Sequence, residues 1–298
     1  MLVFAAVVLC AAAGCAERRK DLGAVREAYA EGKYEEALSL CERSIRKGTA
    51  DGGIYYYSGM SLLAMEKDAE AVARFREALR SDSALSDDIA GALLAKARES
   101  LDQGTIPRAT LLARAAVGID RAAPAGALGY LVAFSYFEER NWPEAALWYE
   151  GAIAAYPDAE AVEAGLFNLA ASRAAMGDST AAIEALEKLL GRFPRGGLAD
   201  RAVWTLTSLL YGRARSEFER GDYDSALRTA ERVAAASPDD TMTRKAMFLI
   251  GESYERMGEF GKAYDQYEAI AKEDRGAPGG IAERARAKMR GLRDAGLR

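Results

Sequence analysis

Apolar residues along the 298-residue chain recur at helical spacing, and stretches that alternate apolar with polar residues in the manner of a strand are scarce. The helical pattern is interrupted at regular intervals by one short phrase. Its clearest copies are Gly32-Lys33-Tyr34-Glu35-Glu36-Ala37, Gly221-Asp222-Tyr223-Asp224-Ser225-Ala226 and Gly258-Glu259-Phe260-Gly261-Lys262-Ala263. Weaker copies run from Glu66 to Ala71, Gly104 to Ala109, Arg140 to Ala145 and Gly177 to Ala182. The seven closing alanines stand at 37, 71, 109, 145, 182, 226 and 263, which gives steps of 34, 38, 36, 37, 44 and 37. Such a phrase suits the elbow of a helical hairpin: the glycine takes the left-handed turn, the aromatic wedges into the elbow and the alanine lets the helices approach. Pro107 and Pro143 fall where the second helix begins, a position that needs no backbone N–H. Tyr156-Pro157, Phe193-Pro194 and Ser237-Pro238 mark where second helices stop, because proline cannot continue a helix.

Three segments depart from this rhythm. The step of 44 comes from Gly197 to Glu219, which reads as a single helix of 23 residues, with Arg195-Gly196-Gly197 as a joint where the array bends or splits. From Ile281 onward, Ile281, Ala285, Met289 and Leu292 share one stripe and the basic residues lie mostly elsewhere, as in a helix that closes the last repeat. Its basic face reads as solvated, with contact to acidic headgroups or to a partner as the alternative. At the other end, Leu2 to Ala13 is an uncharged apolar run that has the length of a signal-peptide core and is too short to span a bilayer comfortably.

Composition narrows the chemistry. Seven prolines and abundant Ala, Glu, Arg and Leu favour helices, so the fold class expected is all-α. A net charge of −5 offers no basic field for a phosphate backbone, so no nucleic-acid partner is expected. The chain has no histidine, which removes the usual general base and the commonest metal ligand. No phosphate-cradling, metal-binding or nucleophile-elbow motif is present, so the reading is that of a non-enzyme with no catalytic residue, no metal and no cofactor. The acid pairs Asp87-Asp88 and Asp239-Asp240 each precede a helix, where carboxylates cap free N–H groups and favour the positive end of the helix dipole. Cys41 is expected to be a buried, inert thiol.

The phrase, its spacing and several flanking residues resemble the tetratricopeptide repeat (TPR), whose period is 34. The unit from Gly52 to Ser83 resembles the consensus at Tyr55, Gly59, Leu62, Ala71, Phe75 and Ala78, and the last unit at Gly251, Tyr254, Ala263 and Tyr267. The resemblance implies a TPR-type α-solenoid of about seven helix-turn-helix repeats with a C-terminal capping helix. It also implies a concave groove that binds other proteins or peptide segments. The fifth residue of each first helix would face that groove, here Tyr56, Leu94, Tyr130, Phe167, Tyr211 and Phe248; Met60, Phe134, Phe137, Arg215, Phe218, Glu252 and Arg256 follow on the same faces. Aromatics at helical spacing equally suit a core between repeats, and that alternative stays open.

The small residues Ala12-Ala13-Gly14 before Cys15 resemble the lipobox of bacterial lipoproteins, with Cys15 as the lipidated residue and Ala16 after it implying the outer membrane. An ordinary cleaved secretory signal or a short membrane anchor is the alternative. Together these resemblances point to periplasmic TPR lipoproteins, such as the lipoprotein subunit of the outer-membrane β-barrel assembly machinery and the Tol-associated coordinator of cell-wall synthesis. The expected order is a signal peptide at 1–14, a lipidated linker at 15–20, units one to five at 21–192, units six and seven at 193–280, and a capping helix at 281–298. The function expected is that of a scaffold in cell-envelope assembly on the periplasmic face of the outer membrane. A soluble periplasmic or cytoplasmic adaptor and an assistant to a cell-wall enzyme are the alternatives.

Overall fold

The computed structural model describes residues 20–236, 241–273 and 280–297. The signal peptide, Cys15, the Ser237-Pro238 stop and the Asp239-Asp240 pair lie outside the described residues. Among those described there is no strand. The helices are α1 (20–30), α2 (Tyr34–Lys47), α3 (Gly52–Ala64), α4 (Asp68–Ser81), α5 (Ser86–Asp102), α6 (Ile106–Ile119) and α7 (Leu128–Glu138). They continue with α8 (Trp142–Ala155), α9 (Val162–Ala175), α10 (Ser179–Arg192), α11 (Ala199–Glu219), α12 (Tyr223–Ala236), α13 (Thr241–Arg256), α14 (Phe260–Glu273) and α15 (Ile281–Asp294). Taken in pairs these are seven hairpins and one further helix, an all-α arrangement of the TPR type. No described helix is long and apolar enough to cross a membrane.

All seven elbows are built alike. In each, one residue adopts a left-handed backbone: Gly32, Glu66, Gly104, Arg140, Gly177, Gly221 and Gly258, with φ from 58° to 82°. The next residue's N–H reaches back to a carbonyl in the last turn of the first helix, as Lys33 does to Ala28 and Asp222 to Glu217, both at 3.0 Å. These bonds satisfy carbonyls that the helix end would leave orphaned. Glu66 and Arg140 carry the left-handed conformation without the freedom of glycine, at a cost of about 1–2 kcal/mol each.

The closing alanine is fully buried in all seven hairpins, and its N–H donates to the carbonyl of the residue four earlier. A methyl is the largest group that fits there without overpacking the crossing. At three elbows the expected aromatic meets a ring at the end of the preceding helix, tilted or edge-on: Tyr34 with Tyr29, Trp142 with Phe137 and Tyr223 with Phe218, with centroids 5.3–5.4 Å apart. Helices α8 and α10 end one residue short of Tyr156 and Phe193, as the following prolines require. In α6 and α8 the proline stands in the first turn.

The chain forms two compact units, residues 1–135 and 136–298, divided inside α7. In the first, Val25, Cys41 and Ile54 make a small core under Tyr57, and the Arg108 guanidinium grips both oxygens of Asp68 at 2.8 and 3.0 Å, tying α6 to α4. Cys41 is buried, and burial pushes its thiol up to about 12. Asp87 and Asp88 stand in the first turn of α5, favourable to its dipole, but neither accepts a capping bond. A short 3-10 turn (Ser83–Leu85) precedes α5, and it is Asp82 that caps this turn, accepting from Ala84 N–H at 3.0 Å.

In the second unit α11 runs 21 residues from Ala199, against 14 for α10 and α12. The Arg195-Gly196-Gly197 joint is stitched rather than split: Glu163 Oε1 accepts from Leu198 N–H at 2.7 Å, and a side chain at Gly196 would collide with that same carboxylate. Helix α15 packs on α14 and α13, with Ala282, Ala285, Met289 and Leu292 buried against Phe248, Tyr264 and Tyr267. Lys288 secures it by an ion pair of 2.8 Å to Glu255, whose carboxylate also accepts from the Tyr267 hydroxyl at 2.9 Å.

Candidate functional site

Tyr56, Met60, Tyr130 and Phe134 belong to the first unit. Phe137, Phe167, Tyr211, Arg215, Phe218 and Phe248 belong to the second. Their surroundings differ widely. Phe134 is exposed, at 48%. Tyr56 and Met60 are half-buried, with Tyr56 set against Tyr57 and Phe75, and burial raises its phenol above the ordinary value. Tyr130 and Leu94 are buried, at 5% and 1%, so neither offers a binding surface. Leu128, Gly129, Val132 and Ala133 of α7 are buried along with Tyr130, while Phe134 one turn on is exposed.

In the second unit, Phe137 is occupied with Trp142 at its elbow, and the Arg201 guanidinium lies 4.7 Å above the Phe167 ring. The remaining four expected residues meet. Tyr211, Arg215, Phe218 and Phe248 line one pocket of about 260 Å³, together with Glu219, Lys245, Leu249, Glu252, Ile281 and Arg284. Helix α11 contributes Tyr211, Arg215 and Phe218, one turn apart. Helix α13 contributes Lys245, Phe248 and Glu252 on one face, and α15 closes the pocket with Ile281 and Arg284.

Phe248 is buried at 5% and forms the floor instead of an exposed contact, because α15 covers it and the Arg284 guanidinium stacks on its ring at 4.4 Å. Tyr211 is half-buried, and burial is the main cause raising its phenol above the ordinary value. Arg215 pairs with Glu219 at 2.8 Å, and Lys288 stands 3.8 Å from Glu252. Lys245 and Arg284 form no ion pair among the described residues. Arg256 leaves the groove face to lie over Phe218 and Tyr223 at 5.7 and 5.2 Å. The pocket is therefore an apolar floor beside two cations, Lys245 and Arg284, that form no ion pair among the described residues, with Glu219 and Glu252 also on its wall. Lys245 was visible in the sequence as the residue one turn before Phe248; Arg284 was not, since its place depends on how α15 docks. No cluster of His, Cys, Asp or Glu among the described residues could hold a metal ion.

A helical-hairpin repeat protein is the class these features define. The tetratricopeptide repeat family model matches residues 164–195 and, in a second version, residues 211–278. The chain is a tetratricopeptide-repeat protein, with the same elbow and the same buried alanine recurring in every hairpin. No curated protein matches it. Among solved structures, one match is to the Naa15/Naa10 complex bound to HypK, at 15% identity and TM-score 0.38, covering 93% of this chain and 39% of that one. Another is to a tetratricopeptide repeat protein from Parabacteroides merdae, at 16% identity and TM-score 0.33, covering 92% of this chain and 97% of that one. A third is to the C-terminal part of a TPR repeat-containing protein from Cytophaga hutchinsonii, at 16% identity and TM-score 0.33, covering 77% and 87%.

Proposed function

We propose that the protein is a non-catalytic scaffold that captures a segment of a partner protein in the pocket of α11, α13 and α15. The observation that carries this reading is the pairing of an apolar floor with two cations, Lys245 and Arg284, that form no ion pair among the described residues. Stacked hairpins expose faces of successive helices, and TPR folds use such faces to bind proteins. A partner segment that places an acidic side chain against Lys245 and Arg284, and an apolar one against Tyr211 and Phe218, satisfies both features. Aromatic and arginine side chains in a recess are the residues that dominate binding energy at interfaces.

In this reading Cys15 is lipidated and holds the chain at the periplasmic face of the outer membrane, in the service of envelope assembly. The support is the apolar run and the small residues before that cysteine. One experiment addresses the pocket: a photo-crosslinking residue at Arg215 in living cells, followed by mass spectrometry of the adducts. A discrete partner that is lost on Lys245→Glu supports the reading, and adducts that are absent or unaffected by that change defeat it. For the anchor, fatty-acid labelling should be lost in Cys15→Ala; equal labelling of the variant rejects lipidation.

A further inference from the structure

The pocket of α11, α13 and α15 does not end at Arg284. Phe248 and Arg284, which line it, also line a second recess of about 530 Å³ farther along α15. Helical spacing explains the continuity. Lys245, Phe248, Glu252 and Glu255 follow one another at steps of three and four residues, so they share one stripe of α13. Ile281, Arg284, Lys288, Gly291 and Ala295 form the matching stripe of α15. The first recess takes the N-terminal part of each stripe and the second takes the C-terminal part. The two therefore lie end to end in one furrow between α13 and α15.

The end of α15 builds the second recess. Gly296 takes a left-handed backbone at φ 68°, and Leu297 N–H donates to the Leu292 carbonyl at 3.0 Å. This is the turn that closes the seven elbows, and here it folds Leu297 back toward the helix instead of letting it trail away. Leu297 is 41% exposed and Leu292 is buried; both line the recess together with Phe260 from the start of α14. Glu255 and Lys288 pair with each other across it at 2.8 Å. Arg284 is then its one charge without an ion pair among the described residues.

We propose that the two recesses hold one continuous partner segment, with an acidic residue at their boundary and an apolar residue on either side of it. This rests on capture of a partner segment in the first recess, and it adds the order of side chains that the segment carries. The shared wall is the Arg284 guanidinium lying over the Phe248 ring at 4.4 Å. A carboxylate that pairs with Lys245 and Arg284 in the first recess already stands at the mouth of the second. Tyr211 and Phe218 receive one apolar side chain, and Phe260, Leu292 and Leu297 receive the other. The 14 residues of α15 run about 21 Å, which an extended chain covers with about six residues.

The test is photo-crosslinking of the full chain in living cells, with p-benzoylphenylalanine replacing Arg215 in one variant and Ala287, an exposed residue of the second recess, in another. The crosslinked partner peptide is then sequenced by mass spectrometry. Both probes are expected to mark one segment, within about eight residues of each other and with Asp or Glu between them. Lys245→Glu should abolish both adducts. Leu297→Glu, a change at an exposed position, should lower the Ala287 adduct at least about fivefold and leave the unfolding midpoint unchanged. An Arg215 adduct that depends on Lys245, beside an Ala287 probe that marks nothing or a different protein, overturns the proposal and leaves capture in the first recess standing. An Ala287 adduct indifferent to Leu297→Glu overturns it as well. An Arg215 probe that gives no adduct sensitive to Lys245→Glu overturns both.

Discussion

Two kinds of helical glycine occur in this chain, and they should respond to alanine in opposite directions. Gly251 sits in α13 under the fully buried Tyr267 ring: a Cβ there would stand 2.6 Å from Tyr267 Cε1 and 3.0 Å from Cδ1 and Cζ. Gly59 has the same relation to Phe75, with two ring carbons at 2.6 Å. Gly151, in the middle of α8, is exposed and has nothing within 4 Å of a built Cβ. Alanine gains about 1 kcal/mol of helix propensity over glycine at an interior position. At Gly151 nothing opposes that gain, so Gly151→Ala should stabilise by about 1 kcal/mol. At Gly251 the ring must retreat by several tenths of an ångström inside a cluster that includes Phe248, Tyr264 and Met289. Overpacking of this kind costs about 1–3 kcal/mol, and the Tyr267 hydroxyl would also strain its bond to Glu255. The net for Gly251→Ala is then a loss of about 1 kcal/mol, the difference between the two effects. Thermal unfolding followed by circular dichroism separates the cases, since 1 kcal/mol moves the midpoint by about 2–4 °C in a domain of this size. If Gly251→Ala raises the midpoint as much as Gly151→Ala does, the close packing of Tyr267 on α13 is refuted.

Other changes follow from the same geometry. Arg140→Gly removes a side chain from a left-handed residue and should stabilise the fourth elbow by up to about 1 kcal/mol, read as a higher denaturation midpoint. Tyr130→Ala should cost about 3 kcal/mol, since a buried ring leaves a cavity, whereas Phe134→Ala on the exposed side of α7 should change stability little. Cys41 should resist alkylation in the folded protein up to about pH 12 and react on unfolding. Because its folded value is raised, its contribution to stability is full below the ordinary thiol value and is lost as pH rises toward about 12. Labelling at pH 8 at the rate of a free thiol would contradict the burial.

Much of the fold was legible because each elbow is a local event. A left-handed residue, an alanine and a proline act within six positions, so the sequence alone located all seven turns, including those at Glu66 and Arg140 where glycine is missing. Exposure was less legible because it depends on what a distant segment covers. Phe248 reads as a groove residue until α15 docks on it, and Tyr130 reads so until the turns around it prove equally apolar. Asp87-Asp88 read as caps of α5 but stand in its first turn, and the capping bond nearby is the one Asp82 makes to the 3-10 turn that intervenes. The extra length of α11 left its trace in the step of 44, whereas the orphaned Glu217 oxygen on that helix appears only in three dimensions.

The central claim is that the pocket of α11, α13 and α15 captures an acid-bearing partner segment. Lys245→Glu tests it most directly, because this side chain lines the pocket, forms no ion pair among the described residues and carries none of the core. Partner recovery from cells and the unfolding midpoint are measured on the same variant. The account predicts recovery reduced at least about tenfold, or about 1.4 kcal/mol, with the midpoint unchanged. Undiminished recovery with an unchanged midpoint would contradict it.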